Sequence, residues 1–286
     1  MFALQDITAV VTGAASGIGR ALAQELAARG AHLALADVVE EGLAETAASI
    51  EGDRRVSTHV VDVSDLDAMR AFVDAVVAEH GAVHLVINNA GVTVDGGFHE
   101  QSIEDFQKVM GVNFWGVYYG CKLFLPHLLA VDRGWICNIS SVFGIVGIPS
   151  QSSYCASKFA VRGMSEAMWE ELEGTSIGLT VVHPGGVRTG IAASSKSYDE
   201  ETYNRMVDFF QKKTMRPESA ARVILDGIAA ERPRVLVTRE APWMDRLKRL
   251  LPVRGNRIVA ELVVKQLGLA DRARARRKGF LDPPQS

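Results

Sequence analysis

Tyr154 and Lys158 stand four residues apart at the start of a stretch with helical periodicity, so they share one helix face. A free phenol has a pKa of about 10 and is a poor base at neutral pH. An ammonium close by favours the phenolate, which would let Tyr154 exchange a proton with an alcohol or carbonyl oxygen. Alone, such a pair is common on protein surfaces. Ser141, thirteen residues earlier and just past a predicted strand, can bring its hydroxyl to the same reacting oxygen. Asn113 lies inside the long apolar stretch Ser102–Ala130, a buried amide that demands partners. The alternative for it is a satisfied core asparagine that bends its helix.

A second group of residues could hold a nucleotide. Thr12-Gly13-Ala14-Ala15-Ser16-Gly17-Ile18-Gly19 follows the first predicted strand and opens into a helix. Its glycines allow a tight turn and close approach of backbone to a pyrophosphate, whose charge then faces the helix N-terminus. Asp37 ends the second strand, eighteen residues after Gly19. A carboxylate there accepts from a ribose 2′-hydroxyl and repels a 2′-phosphate, and no Arg or Lys precedes Gly17 in the turn; NAD is therefore favoured over NADP. Asp37 could instead cap a helix. At the third strand's end, Asp62 suits an adenine amino group and Val63 the ring, although Asp62 can equally cap through the Ser64-Asp65 turn. Asn88-Asn89-Ala90-Gly91 suits a backbone lying along a ribose, or simply a loop. His183-Pro184-Gly185-Gly186-Val187-Arg188-Thr189 forms a rigid turn that could meet a nicotinamide carboxamide, with Thr189 as side-chain partner. His183 itself reads as a satisfied strand-end histidine.

These residues need elements to carry them. Strands are predicted at Ile7–Thr12, His32–Asp37, Arg55–Val61, Val83–Asn88, Gly134–Ser140, Gly178–His183 and Arg234–Thr238. Between them lie Gly17–Gly30, Glu40–Ile50, Asp65–His80, Ser102–Ala130, Ser152–Glu173 and Pro217–Ala230, each long enough for a crossover helix. The alternation implies an α/β fold, a single doubly wound parallel sheet with helices on both faces. No linker divides residues 1–240, which read as one domain. Gly190–Lys213 breaks the rhythm beyond a strand's carboxyl end and reads as a substrate lid.

Composition removes other classes. The 286 residues are 48% hydrophobic and 23% charged, which excludes disorder, and no repeat of 20–50 residues suggests a solenoid. The uncharged run Gly134–Ser157 contains six serines and a proline, unsuited to a membrane span. The first residues lack a signal-peptide pattern, and Cys121, Cys137 and Cys155 lack metal-ligand spacing. Buried inert thiols, no metal site and a cytoplasmic location are the expectations. Net charge is −3, yet residues 241–286 hold eleven Lys/Arg against four Asp/Glu. The acidic remainder is no nucleic-acid surface.

Taken together, these motifs resemble the short-chain dehydrogenase/reductase family over about residues 5–240. Thr12-Gly13-x-x-x-Gly17-Ile18-Gly19 matches its cofactor fingerprint and Asn88-Asn89-Ala90-Gly91 its central-strand motif. Asn113, Ser141, Tyr154 and Lys158 match its catalytic tetrad, Pro184-Gly185 and Thr189 its nicotinamide-side turn, and Asp37, Asp62 and Val63 its NAD-side contacts. The resemblance implies a Rossmann domain with strand order 3-2-1-4-5-6-7 and a dimer or tetramer built on the two long helices. It also implies hydride transfer between NAD and a secondary alcohol or ketone. Tyr154 would then take the proton, Lys158 hold the nicotinamide ribose, Ser141 position the substrate oxygen and Asn113 anchor a water. Trp115, Phe143, Ile145, Val146, Ile148 and the lid suggest an apolar pocket. A reductase of a C=N or C=C bond and a non-catalytic NAD-binding regulator are the competing readings.

The departure from that pattern is the tail, residues 241–286, a basic amphipathic helical extension. Trp243–Leu251 is amphipathic and basic, Ile258–Leu267 is apolar-periodic, and Arg272–Lys278 holds five basic residues. An arm on a sister subunit is the favoured reading and a membrane-surface element the other.

Overall fold

The computed structural model describes residues 1–191, 196–198 and 200–266. The run Arg272–Lys278 therefore lies outside the described residues. Seven short strands form one parallel sheet: β1 (Thr8–Thr12), β2 (His32–Asp37), β3 (Val56–Val60), β4 (Leu85–Asn88), β6 (Gly134–Ile139), β7 (Ile177–His183) and β9 (Arg234–Leu236). Its order is β3-β2-β1-β4-β6-β7-β9. That is the 3-2-1-4-5-6-7 expected from sequence, once two minor strands are set apart. Those are β5 (Val94–Asp95) and β8 (Lys196–Ser197), which pair with each other and carry no periodicity a sequence could reveal.

Helices cover both faces because β1, β4 and β6 are buried along their whole length. On one side, α1 (Gly17–Ala28) and α8 (Pro217–Ala229) bury Leu22, Leu26, Ile224 and Ile228 against the sheet. The third helix on this side, α2 (Glu40–Ala48), adds Leu43. On the other side, α3 (Leu66–His80), α5 (Gly116–Leu129) and α6 (Ser152–Glu171) supply Phe72, Phe124 and Val161. Asp65 starts α3 by accepting from the Asp67 and Ala68 amides, so Asp65 and not Asp62 is its cap.

Two expected elements differ. The stretch Ser102–Ala130 is not one uniform helix. It divides into α4 (Ile103–Met110), a π-helical turn at Gly111–Trp115 and α5. The wide turn holds Asn113, whose side chain bonds outside the helix. Of the stretch Gly190–Lys213, the described residues form β8 and α7 (Glu200–Lys213), and residues 192–195 and 199 lie outside the described residues. β8 is tied down by Lys196 Nζ, which donates to Asp105 Oδ2 at 2.6 Å, beside the Tyr198 hydroxyl donating to the same oxygen at 2.7 Å.

The tail folds back on its own chain as α9 (Ala241–Leu250) and α10 (Arg254–Gln266). Met244 and Val259 are buried against Val142, Ile145, Val146 and Ile148, a third core beside the sheet's carboxyl edge. The amphipathicity read as an arm or a membrane face thus serves an intramolecular contact along these described residues. Arg234 in β9 makes two bonds to Asp245 in α9, at 2.7 and 2.8 Å, with both side chains mostly buried. Among the described residues, no helix is long and apolar enough to cross a membrane.

Burial raises the Asp245 carboxyl, but bonds from Arg234 and Arg249 outweigh it and hold the group below the usual carboxylate range. A depressed folded pKa stabilises the fold above the unfolded value of about 4 and loses that contribution as pH falls through the folded one. Arg234→Met should therefore cost up to about 3 kcal/mol at pH 7, because Asp245 keeps only Arg249. Urea melts should show the gap between wild type and variant closing below pH 4.

Candidate active site

The carboxyl ends of the strands open into one cleft of about 1730 Å³. Parallel strands end there with backbone groups that have no ladder partner, and side chains supply the missing bonds. The Thr12 hydroxyl, at the end of β1, accepts from the Asn89 and Ala90 amides at 3.0 and 3.1 Å. Asn89 Nδ2 in turn donates to the carbonyls of Thr12 and Gly13, at 2.9 and 3.2 Å. The ends of β1 and β4 are thereby clasped together, with the glycine turn above them.

Gly13 needs to be glycine: its φ is +67°, and a Cβ would lie 2.8 Å from the Ala90 Cα. A Cβ at Gly19 would run into the Gly13 carbonyl, so this glycine permits packing and does not border the cleft. Ser16, Gly17 and Ile18 do border it. Ser16 precedes α1 but makes no side-chain cap bond, which leaves the first amides of the helix without that partner. Asp37 reaches over from β2. Its Oδ2 accepts from the Ala15 amide at 3.0 Å and its Oδ1 from the Val39 amide at 3.1 Å. Arg20, which sequence reasoning passed over, donates to the Ala15 carbonyl and to Glu45. Its position three residues past Gly17 was the available signal.

Asp62 and Val63 also border the cleft. Asp62 Oδ1 accepts from the Ser64 amide and hydroxyl, at 2.9 and 2.6 Å. Val63 is buried and packs against the backbone of Gly116 in α5. On the opposite rim, Pro184, Gly185, Val187 and Thr189 line the cleft, and Thr189 touches Gly17 across it. A Cβ on Gly185 would collide with Thr238 and Glu240, and Glu240 accepts from the Gly186 amide at 3.3 Å. Neither Thr238 nor Glu240 was singled out from sequence, because only the fold brings β9's end to this turn.

Ser141, Tyr154 and Lys158 meet in the middle of the same cleft. Ser141 extends from β6 and its Oγ accepts from the Phe143 amide at 3.1 Å. Phe143 meets the Tyr154 ring edge-on at 6.1 Å. Lys158 Nζ donates to the Ile139 carbonyl at 2.9 Å and stands 5.7 Å from the Tyr154 ring centroid. His183 is fully buried behind them. Its Nδ1 lies 3.0 Å from the Ser141 carbonyl, so that nitrogen carries the proton, and burial pushes its pKa down to about 4. It serves to position the serine backbone.

Asn113 lies behind the cleft and does not border it. Its Oδ1 accepts from the Val92 amide at 2.8 Å, and its Nδ2 donates to the Val92 carbonyl and to Ser157 Oγ, at 2.9 and 3.1 Å. Both amide protons are spent, and one lone pair on Oδ1 remains. Gly91 sits between this oxygen and Lys158: a Cβ there would be 3.3 Å from Asn113 Oδ1 and 3.6 Å from Lys158 Nζ.

The electrostatics differ from the sequence expectation. The tyrosine pKa is not lowered in the chain alone. Burial pushes it up to about 12, and a hydrogen bond with Ser141 offsets only part of that. Burial also pushes Lys158 down to about 8. Lys158 is buried and Tyr154 half-buried at the cleft, and the ammonium is directed at the Ile139 carbonyl. The expected apolar pocket changes as well. Phe143 and Ile148 line it, whereas Ile145 and Val146 are buried in the third core and Trp115 is exposed on the π-helical turn. The cysteines are buried and unpaired, as expected.

Comparisons with known proteins place the chain in a family. A sequence profile described as short chain dehydrogenase matches residues 7–200. The protein named "Putative oxidoreductase SadH" in Mycobacterium tuberculosis is 41% identical over 270 residues, 93% of this chain and 98% of its own. A short-chain dehydrogenase/reductase from Burkholderia phymatum, solved in complex with NAD, superposes with a TM-score of 0.82 at 32% identity, covering 87% of this chain and 95% of that one. Another, from Mycobacterium paratuberculosis and bound to NAD, has a TM-score of 0.73 at 28% identity, covering 84% and 99%. The chain belongs to the short-chain dehydrogenase/reductase family and is an oxidoreductase.

The buried lysine predicts a pH dependence of stability. Its folded pKa of about 8 lies below the unfolded value of about 10.4, so charging it opposes folding at neutral pH. That cost is relieved as pH rises from about 8 towards 10.4. Relative to Lys158→Met, wild type should gain on the order of 2 kcal/mol between pH 7 and pH 10 in urea melts. A constant difference would contradict the lowered pKa of Lys158.

Proposed function

We propose that this chain is an NAD-dependent dehydrogenase that interconverts an apolar secondary alcohol and its ketone. The observation that carries this reading is the single cleft in which Gly17 and Asp37 at one end are continuous with Ser141, Tyr154 and Lys158. The residues present fit the dinucleotide. Gly13 and Gly17 leave two positions of the turn without side chains at the cleft, and the uncapped first turn of α1 suits a pyrophosphate. Asp37 suits a ribose with free hydroxyls, Asp62 and Val63 the adenine end, and Asn89–Gly91 the second ribose. Pro184, Gly185, Val187 and Thr189 suit the carboxamide. When bound, NAD supplies the hydride acceptor and NADH the donor.

The chain's own residues move the proton and fix the geometry. Ser141 holds the substrate oxygen beside Tyr154. The phenol, neutral at physiological pH and held further from ionising by its burial, is the form that donates to a ketone oxygen. Oxidation of the alcohol needs the phenolate, which Lys158 supports while it remains charged. Lys158 also reaches the nicotinamide ribose. Asn113 holds Gly91 and Val92 in place beside the lysine, and the spare lone pair of its Oδ1 holds a water on the proton's way out. A homodimer or homotetramer would cover the exposed Trp115, Tyr118 and Phe159 on α5, α6 and the π-helical turn.

Steady-state kinetics over alcohols and ketones test this reading. Tyr154→Phe should lower kcat by about 10²–10⁴-fold while NADH still binds. Near-normal turnover would overturn the assignment. Alcohol oxidation should climb from pH 7 to pH 10, and ketone reduction should not, since only oxidation needs the phenolate. NAD should be strongly preferred to NADP, and Asp37→Ala should narrow that gap by removing both the repulsion and a ribose hydrogen bond.

A further inference from the structure

We infer that α9 and α10 form the far wall of the substrate end of the cleft, and that this wall selects an alcohol or ketone carried on an extended apolar body. The inference rests on the proposed function for the reacting group alone; the wall itself stands on geometry. Asn256 in α10 grips the loop that follows Ser141: its Oδ1 accepts from the Gly147 amide at 2.9 Å and its Nδ2 donates to the Gly147 carbonyl at 3.1 Å. One side chain thus satisfies both backbone groups of a loop residue, as a strand would. Gly255 lets the two helices close up, because a Cβ there would be 2.6 Å from the Leu247 carbonyl. Behind this clasp, Met244 and Val259 are buried against the same loop.

The wall so placed is mostly apolar, with Lys265 and Gln266 at the end of α10 as its polar members. Phe143 and Ile148 from the serine loop, Met206 from α7, and Trp243, Met244 and Leu262 from the tail all border the cleft. Trp243 and Leu262 are each 47% exposed, unusual for large apolar side chains in a pocket lining, and a long substrate would cover them. Three polar groups beside the serine loop are engaged with one another. Thr93 Oγ1 donates to Gln151 Oε1 at 2.8 Å, and Gln151 Nε2 to Asp95 Oδ1 at 3.4 Å. The cleft of about 1730 Å³ also exceeds the 300–1,000 Å³ of an ordinary small-molecule site. It has room for a second, sizeable molecule beside a dinucleotide. An aliphatic chain and a fused-ring body share the chemistry this wall recognises.

The test measures kcat/KM for 2-alkanols of four to twelve carbons and for a fused-ring secondary alcohol, with NADH affinity and binding of a fluorescent fatty ketone in parallel. In wild type, kcat/KM should rise about fourfold per buried methylene until the wall is filled. Leu262→Trp should shorten that series, lowering the long members at least tenfold. The shortest members and NADH affinity should stay within about twofold, since Leu262 borders only the far end. Trp243→Ala, which removes bulk, should extend the series. Growth with chain length assigns an aliphatic substrate, and a higher value for the fused-ring alcohol assigns a polycyclic one. A flat series unchanged in both variants, or a preference for hydroxy acids or short diols, would overturn the inference while leaving a dehydrogenase. If wild type oxidises none of the alcohols, the proposed function fails. Fatty-ketone binding then decides the wall alone: weakening in Leu262→Trp supports it, and no change overturns it.

Discussion

A parallel sheet must bond the backbone groups at its strand ends and still leave a crevice open above them. Side chains at the carboxyl ends of β1, β2 and β4 meet this constraint here. Thr12 and Asn89 clasp β1 to β4, and Asp37 ties β2 to the glycine turn. Because these bonds lie below or beside the cleft, the glycine turn stays open to it. Loss of the clasp would leave buried amides unpaired and free the turn that faces the cofactor end. Beneath it, Asn88, Asn138 and Ser165 continue the polar network into the core, and Gly120 gives way for the Asn88 side chain.

The second consequence of burial is chemical. Lys158 is buried and Tyr154 half-buried beside it, and packing pushes each towards its neutral form. A phenol that stays protonated and a lysine that titrates near neutrality form a pair whose charge state any bound molecule can reset. The helix that carries both residues is held by Asn113 through Ser157, so the π-helical turn at Gly111–Trp115 transmits order from α5 to the reacting groups. Such wide turns commonly mark functional sites, and here it lets Asn113 bond across the sheet edge.

The tail adds a layer to this design. Ordinary packing energetics explain why it folds back: Met244 and Val259 gain burial, and Arg234 with Asp245 and Asn256 with Gly147 supply directional bonds that fix its register. The loop carrying Ser141 is thus held from both sides, by His183 below and by α10 beyond. Catalytic and substrate-facing parts are mechanically linked through seven residues of chain, Ser141 to Gly147.

The strands and their parallel layering were legible in the sequence because they follow from local signals, whereas their order came from the family resemblance. Continuous apolar runs mark buried parallel strands, glycines mark the turn, and Tyr154 and Lys158 share a helix face by spacing alone. What the sequence could not decide depends on distant segments meeting. Asn113 reads as a buried amide in either case, and only the packed structure shows that Val92 and Ser157 occupy it. The sign of the tyrosine shift was misjudged from sequence because spacing reports proximity to a cation, whereas desolvation depends on everything packed around the pair. β5 and β8 are two residues each and exist only because the chain brings them together. The tail's amphipathic pattern fixed that it would bury one face. Which surface that face would meet was a tertiary matter, settled by a pair of charges and one asparagine more than 100 residues from its partner loop.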